Sequence, residues 1–412
     1  MGSRGNSFRA LRSVPFRWYF AGQVASASGT FLQQTAVGWL VLQLTGSASA
    51  LGLVLAVGGL PPLLFGPWGG NIADRFDLRR LLIVTQALNG LLAAVLWVLA
   101  TSGHAGVPLV VAVSVLGGIV GIVDSPARQA FVGSLVPPED LSSAVSLNGV
   151  VMNTARVVGP ALAGVLIVAV GVIPCFLVNA VSYLAVIAAL LVIKPLGAAR
   201  HTAKAGGVAD AIRYARGREQ VFVPLAMMSL VGLLAFNFAV VLPVLAKQTF
   251  HGDGGTYGLL STVLSIGSIA GSLGVGLIKH PRRIYLVRAA FVFGVAMIAV
   301  ALSPGVLTAS IALLVTGAAA FAFTTLASTT IQLHTAPEYR GRVMALWVFV
   351  YIGTTPIGSV LTGWISGWGG PRAALLAGAA ACLVAALAAF RVKTPPNPDA
   401  ALHDLPIPAA AR

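Results

Sequence analysis

Four ionisable side chains stand where a charge needs a reason: Asp74, Asp124, Arg128 and Arg156. Each lies in, or at the edge of, a long apolar run. A charge in a hydrocarbon environment is expensive, so such residues face protein or a water-filled cavity. Asp124 and Arg128 are four residues apart and share one helix face. They can form a static ion pair, or Asp124 can take a loop arginine such as Arg79 in one conformation only. Arg156 lies roughly 20 Å into its run at 1.5 Å per residue, near the middle, with Asn153 three residues earlier on the same face. It reads either as a cationic anchor for an anionic substrate group or as a structural partner of helix carbonyls or Asp124. Gln33, Gln34, Asn237 and Tyr351 are further candidates for substrate contact, interhelical hydrogen bonding being the alternative. No Asp or Glu lies near the middle of any run, which weakens proton antiport through a central carboxylate. Neither a Gly-x-x-x-x-Gly-Lys-[Ser/Thr] phosphate loop nor metal-ligand spacing nor a catalytic triad stands out, so no enzyme activity, cofactor or metal is expected.

The elements that carry these residues follow from composition. The chain has 412 residues, of which 57% are hydrophobic and 9% charged, with mean hydropathy +0.91. Soluble domains carry about 25% charged residues, so a soluble enzyme, a disordered chain and a disulfide scaffold are excluded. Spans of roughly 20 residues cross a bilayer. Twelve candidate runs appear, at about 18–44, 48–70, 80–102, 106–130, 143–169, 172–194, 221–246, 256–279, 284–303, 306–332, 341–366 and 372–391. The arginine-bearing N-terminus is read as leading into the first span rather than as a cleaved signal, because its run is too long for a signal core. Cys175 and Cys382 lie in apolar runs, giving no disulfide framework.

Net charge of +15 would suggest nucleic acid in a soluble protein, but here the charges sort by side. The N-tail, the connection after the second span (Arg75, Arg79, Arg80), the region Lys194–Arg218 and the other even-numbered connections hold nearly all the basic residues. Lys247 and Arg372 fall on the opposite side. By the positive-inside rule the basic side is cytoplasmic, and so are both termini. The expected organisation is a cytoplasmic N-tail (1–17), a six-helix bundle (18–194), a cytoplasmic linker (195–220), a second six-helix bundle (221–391) and a C-tail (392–412). Within the linker, 209–216 reads as a short amphipathic helix on the membrane surface or as a solvated charge run. The two bundles look duplicated. Shifted by 199 residues, Pro138-Glu139 falls on Pro337-Glu338, and Gly118, Gly159, Gly164 and Gly171 fall on Gly317, Gly358, Gly363 and Gly370. Such repeats place a transport site at their interface.

The loop Gly70-Asn71-Ile72-Ala73-Asp74-Arg75-Phe76-Asp77-Leu78-Arg79-Arg80 resembles the signature loop of the major facilitator superfamily. It departs at Asp77, where glycine is usual, and at Leu78, where arginine is usual. Asp-Arg-Phe-Asp with following arginines, the Gln33-Gln34…Gly38-Trp39 stretch and Ala211-Ile212-Arg213-Tyr214 are similar to the branch of the enterobactin exporter and secretion-type effluxers. The resemblance implies that Gly70, Asp74, Arg75, Arg79 and Arg80, with Asp124 and Arg128, latch the cytoplasmic side shut in the outward-facing state. Gly159, Pro160 and Gly164 resemble the superfamily's antiporter motif, which implies export.

The expectation is therefore an all-α membrane protein of twelve helices in two pseudo-symmetric bundles, in a bacterial cytoplasmic membrane. It exports a small amphiphilic molecule (drug, siderophore or secondary metabolite) by alternating access. Nutrient uptake, or a non-transporting receptor or assembly partner, are the alternatives. The expected partners are a small-molecule substrate, a coupling proton and the lipid bilayer, with no nucleic acid, and the expected state is a monomer.

Overall fold

The computed structural model describes residues 9–193, 208–278 and 282–391. Arg4 of the N-tail, Lys194, Arg200 and Lys204 of the linker, Lys279, and the C-tail with Lys393 and Arg412 lie outside the described residues.

Every regular element among the described residues is a helix. Before the linker come α1 (Val14–Thr45), α2 (Ala48–Ala73), α3 (Leu78–Thr101), α4 (Val107–Gly133), α5 (Leu141–Val170) and α6 (Ile173–Val192). The linker holds α7 (Val208–Arg216). After it follow α8 (Glu219–Leu234), α9 (Phe238–Val244), α10 (Gly254–Gly276), α11 (Arg283–Leu302), α12 (Val306–Leu333) and α13 (Pro337–Arg391). Side-chain caps set several starts by satisfying free backbone N–H groups. Ser47 accepts from Ala50 N–H at 3.2 Å, Asp77 from Arg80 N–H at 2.8 Å and Asp253 from Thr256 N–H at 3.0 Å.

Ten helical stretches among the described residues are long and apolar enough to cross a membrane, against the twelve runs read from the sequence. Two physical features account for the difference. α1 is long but carries Arg17, Gln23, Gln33 and Gln34 and is not among the ten. The last two runs meet in one element, α13, whose 55 residues are two helices joined across a kink. A single straight helix of that length would run roughly 82 Å at 1.5 Å per residue, far beyond a hydrocarbon core of about 30 Å. The one non-helical residue of α13 is Gly370, at φ 76° and ψ 171°. Gly171, the repeat mate of Gly370, ends α5 at φ 91° and ψ 177°. Left-handed φ is strained for residues with a Cβ, so glycine is required at both corners. Large apolar side chains lie bare on the outer surface, Leu307 at 75% and Trp368 at 86% exposure, as fits a surface facing lipid rather than water.

The helices before the linker pack among themselves, α1 on α5 and α6, α2 on α4, and α3 on α4 and α6. Those after it do likewise, α10 on α12, α11 on α12 and α13, and α8 on α13. The two sets meet where α2 crosses α13 and α5 crosses α10. Glycines paired by the 199-residue shift make matching contacts. Gly118 lies on Gly58 and Pro61 of α2, and Gly317 on Leu264 and Ser268 of α10. Gly159 lies on Phe31 and Leu32 of α1, and Gly358 on Leu233 and Asn237 at the end of α8. Gly164 abuts Gly258 of α10, and Gly363 abuts Gly52 of α2.

The sets are joined at the end of the molecule that carries Gly46, Gly171 and Asp253. Ser49 donates to the Gly363 carbonyl at 3.2 Å and Lys247 to the Leu42 carbonyl at 2.9 Å. Trp39 and Tyr257 stack with centroids 6.3 Å apart. Contacts between α2 and α13 continue to Gly59 on Pro356 and Leu63 on Gly353, about halfway along. The opposite end carries Arg75, Arg79, Arg80 and the linker helix, and is called the basic end below. Of the two readings of 209–216 the structure has the helix, α7, but its small face is covered by protein. Ala211 and Ala215 are buried, α7 packs on α8 and α13, and Tyr214 stacks on Tyr339 at 4.2 Å.

Candidate functional site

A cavity of about 1530 Å³ runs between the sets, lined by residues of α1–α6 and by Phe238, Leu242, Tyr257 and Ser265 from beyond the linker. Its wall includes Gly70, Ala73 and Asp74 at the basic end and Arg156 and Pro160 deep inside.

Asp124 is buried on α4, and both its oxygens are satisfied. One accepts from the Thr85 hydroxyl at 2.7 Å and the Gln86 amide at 2.6 Å, both on α3. The other takes the Arg128 guanidinium at 2.5 Å. Arg128 also donates to Gln23 Oε1 at 2.7 Å, and Gln23 donates to the Tyr19 hydroxyl at 2.9 Å. The pair thus ties α1, α3 and α4 together at the basic end. In this conformation Asp124 holds Arg128 and not Arg79. The pair's hydrogen bonds are charge-assisted and its donors matched, which offsets part of the cost of burying two charges.

The loop residues are not gathered into one cluster. Asp74 ends α2, its N–H bonded to the Gly70 carbonyl at 3.0 Å. Its exposed side chain stands at the cavity mouth without a partner among the described residues. Arg75 and Arg80 are exposed. Arg79 donates to the carbonyls of Leu190 and Leu191 at 2.5 Å each, closing the end of α6. Arg283, at the start of α11, likewise donates to the Ala389 carbonyl near the end of α13 and also pairs with Glu219. Asp77, the departure from the signature, is the helix cap described above. Gly70 meets nothing that an added Cβ would touch, whereas Gly69 lies against the Ile122 backbone of α4. Close helix packing therefore falls to Gly69 here.

Arg156 lies on the cavity stripe of α5 with Val145, Asn148, Gly149, Met152 and Pro160. Its guanidinium sits 5.7 Å from the Phe31 ring of α1 and 5.0 Å from the Phe321 ring of α12, and it interacts electrostatically with Tyr351. No carboxylate pairs with it among the described residues. Asn153 falls off this stripe. Gln33 and Gln34 both line the cavity, Gln33 accepting from Asn179 at 2.7 Å. Asn237 is instead a buried element of the α8–α9 break, donating to the Leu233 carbonyl at 2.9 Å and accepting from Ser359 at 3.4 Å. Tyr351 packs in an aromatic cluster with Phe236 and Trp347. The helix-5 motif works on two faces, Gly159 inside its own set against α1 and Gly164 with the Pro160 carbonyl against Gly258 across the joint.

Known proteins agree on what kind of molecule this is. Residues 5–409 match the profile of the transmembrane secretion effector family. The chain belongs to that family, within the major facilitator superfamily. It is similar to the staphyloferrin A transporter of Staphylococcus aureus, at 30% identity over 69% of this chain and 73% of that protein. It is also similar to the multidrug efflux pump Tap of Mycobacterium tuberculosis, at 28% identity over 92% of this chain and 94% of the pump. Among solved structures, a bacterial homologue of the lysosomal transporter Spinster, inward-facing and occupied, superposes with a TM-score of 0.75. That match has 14% identity and covers 92% of this chain and 97% of the other. The chain is a multi-pass membrane transporter, and its relatives are transporters rather than enzymes.

Several residues of the candidate site escape sequence reading. Thr85 and Gln86 are adjacent polar residues inside an otherwise apolar run, a signal that marks them without naming Asp124 as their partner. Tyr19 and Gln23 have helical i,i+4 spacing, which could have been read. Phe31 and Phe321 carry no signal, because their role depends on two distant helices meeting at Arg156.

Proposed function

We propose that the chain is a twelve-span exporter of small amphiphilic molecules, working by alternating access between two pseudo-symmetric six-helix bundles. The bundles are 18–194 and 221–391, joined by the linker 195–220. On this reading the first span is α1, α8 and α9 form one span, and α13 contains two, divided at Gly370. One observation carries it: the large cavity reaches the basic end while contacts between the sets seal the opposite end. If the basic end is cytoplasmic, as the positive-inside rule has it, this is an inward-facing state in a bacterial inner membrane. Relatives described as efflux pumps and the Gly159-Pro160…Gly164 motif support export as the direction. The basic-end residues Gly70, Asp74, Arg75 and Arg80 are then free because the latch is open. Arg79 caps α6 in this state, and Asp124–Arg128 is the buried anchor of the latch. Arg156, Gln33 and Gln34 contact substrate.

Asp74→Asn separates latch from scaffold. Its flux into inverted membrane vesicles is expected to fall roughly tenfold, the population change that one charge-assisted hydrogen bond supplies, with wild-type insertion and melting temperature. Arg79→Ala, which uncaps α6, is expected to lower the melting temperature. Wild-type flux by a well-inserted Asp74→Asn protein would remove the latch from the mechanism.

A further inference from the structure

The charges around the cavity do not balance locally. Asp124 and Arg128 cancel one another, and Thr85 and Gln86 bond the carboxylate and Gln23 the guanidinium as well. Asp74 stands at the mouth, exposed to solvent. Deep in the chamber the only formal charge among the described lining residues is Arg156. It is only half-buried, and its immediate neighbours are two phenyl rings, one from each side of the joint.

Aromatic faces stabilise a guanidinium through its flat surfaces and leave its N–H edge free. A cation held this way stays charged without being neutralised. The N–H edge of a guanidinium is a fork that matches a carboxylate or phosphate with two parallel hydrogen bonds. The chamber around it offers neutral amides at Gln33 and Gln34, and apolar surface at Val54, Leu55 and Met152. Among the described residues no acidic side chain pairs with the fork.

We infer that the chamber selects anionic amphiphiles, with Arg156 binding a carboxylate or phosphate group while Phe31 and Phe321 hold its guanidinium in place. This deepens the transport reading and rests on it for the identity of the chamber as the substrate site. It also assigns a role to the joint. Phe321 lies across it from Arg156, so rocking of the sets would remove one ring from the guanidinium and change its grip on the anion. Cationic amphiphiles of the same size are disfavoured, since they would meet an unneutralised positive charge.

The test uses the full-length protein in detergent and in liposomes at neutral pH, with three probes that share one fluorophore: dansylglycine (an anion), its neutral methyl ester and the cation dansylcadaverine. Equilibrium binding should favour dansylglycine over the ester by roughly tenfold or more, as one charge-assisted pair supplies. Arg156→Gln should bring the anion down to the level of the ester and raise dansylcadaverine binding. Arg156→Lys should keep part of the preference, because it retains charge but not the fork. Phe321→Ala should weaken anion binding with the ester unaffected, a readout that general misfolding would not give. Equal binding of the three probes by the wild type, no binding of the anion, or an undiminished anion preference in Arg156→Gln would each overturn the inference. Flux in the same liposomes reports separately on transport. Anion-selective binding without flux would leave the charge assignment standing and count against the exporter reading.

Discussion

Asp124 receives three donors from three side chains, and Arg128 reaches from α4 to α1, so neither residue can be changed without orphaning the other. Taking one member from a buried ion pair leaves an uncompensated charge and costs about 3–5 kcal/mol, whereas removing both is far milder. Asp124→Ala is therefore expected to lower the stability of the solubilised protein by about that amount. The double variant Asp124→Ala/Arg128→Met should recover much of the loss, as read from thermal unfolding in one detergent. Additive losses in the double variant would show that the two residues act independently. The pair was visible in the sequence because four-residue spacing puts two side chains on one helix face. Its remaining partners were not, since Thr85, Gln86 and Gln23 arrive from other helices and sequence spacing carries no information on which helices meet. Arg79 is the opposite case. A resemblance placed it among the latch residues, and in this conformation it closes the carbonyl end of α6, as Arg283 does at the end of α13.

The 199-residue register, read from a handful of glycines, turns out to be a statement about helix crossings. Gly164 against Gly258 and Gly363 against Gly52 are two places where the sets touch backbone to backbone. Small residues at such crossings allow close van der Waals approach where no hydrophobic force separates helix from lipid. A Cβ on Gly164 would lie 3.1 Å from the Gly258 Cα, and one on Gly363 would lie 2.8 Å from the Ala48 carbonyl oxygen. Valine at either position cannot be accommodated without moving the partner backbone. Gly164→Val and Gly363→Val are each expected to push the population away from the state sealed at this end. Spin labels placed across the joint at the sealed end should report longer distances than in the wild type. Unchanged distance distributions in both variants would mean that these crossings do not control the gate. The sequence disclosed which glycines correspond, because a duplicated register survives in one chain. What each glycine touches depends on which helices cross, and that became visible only with the helices assembled.

At the scale of the molecule, composition and the placement of arginines were enough to indicate a multi-span membrane protein with a basic end and an opposite end. They could not say which end is closed, because both states of a rocking transporter have the same sequence. The sealed end offers a direct way to test whether the sets must separate there. Ser49 on α2 donates to Gly363 across the joint, and a Cβ built on Gly367 would stand 3.9 Å from the Ser49 Cβ. Disulfides form between Cβ atoms roughly 3.5–4.5 Å apart, so Ser49→Cys with Gly367→Cys is placed to crosslink the sets without distortion. The native Cys175 and Cys382 are both buried, which keeps the oxidation confined to the introduced pair. The oxidised double variant is expected to retain ligand binding from the basic end and to lose net transport, with flux restored by dithiothreitol. Each single-cysteine variant should transport normally under both conditions. Alternating access requires the sealed end to open once in every cycle, so full flux through a quantitatively crosslinked protein would be incompatible with it. Such a result would place the translocation path somewhere other than between α2 and α13.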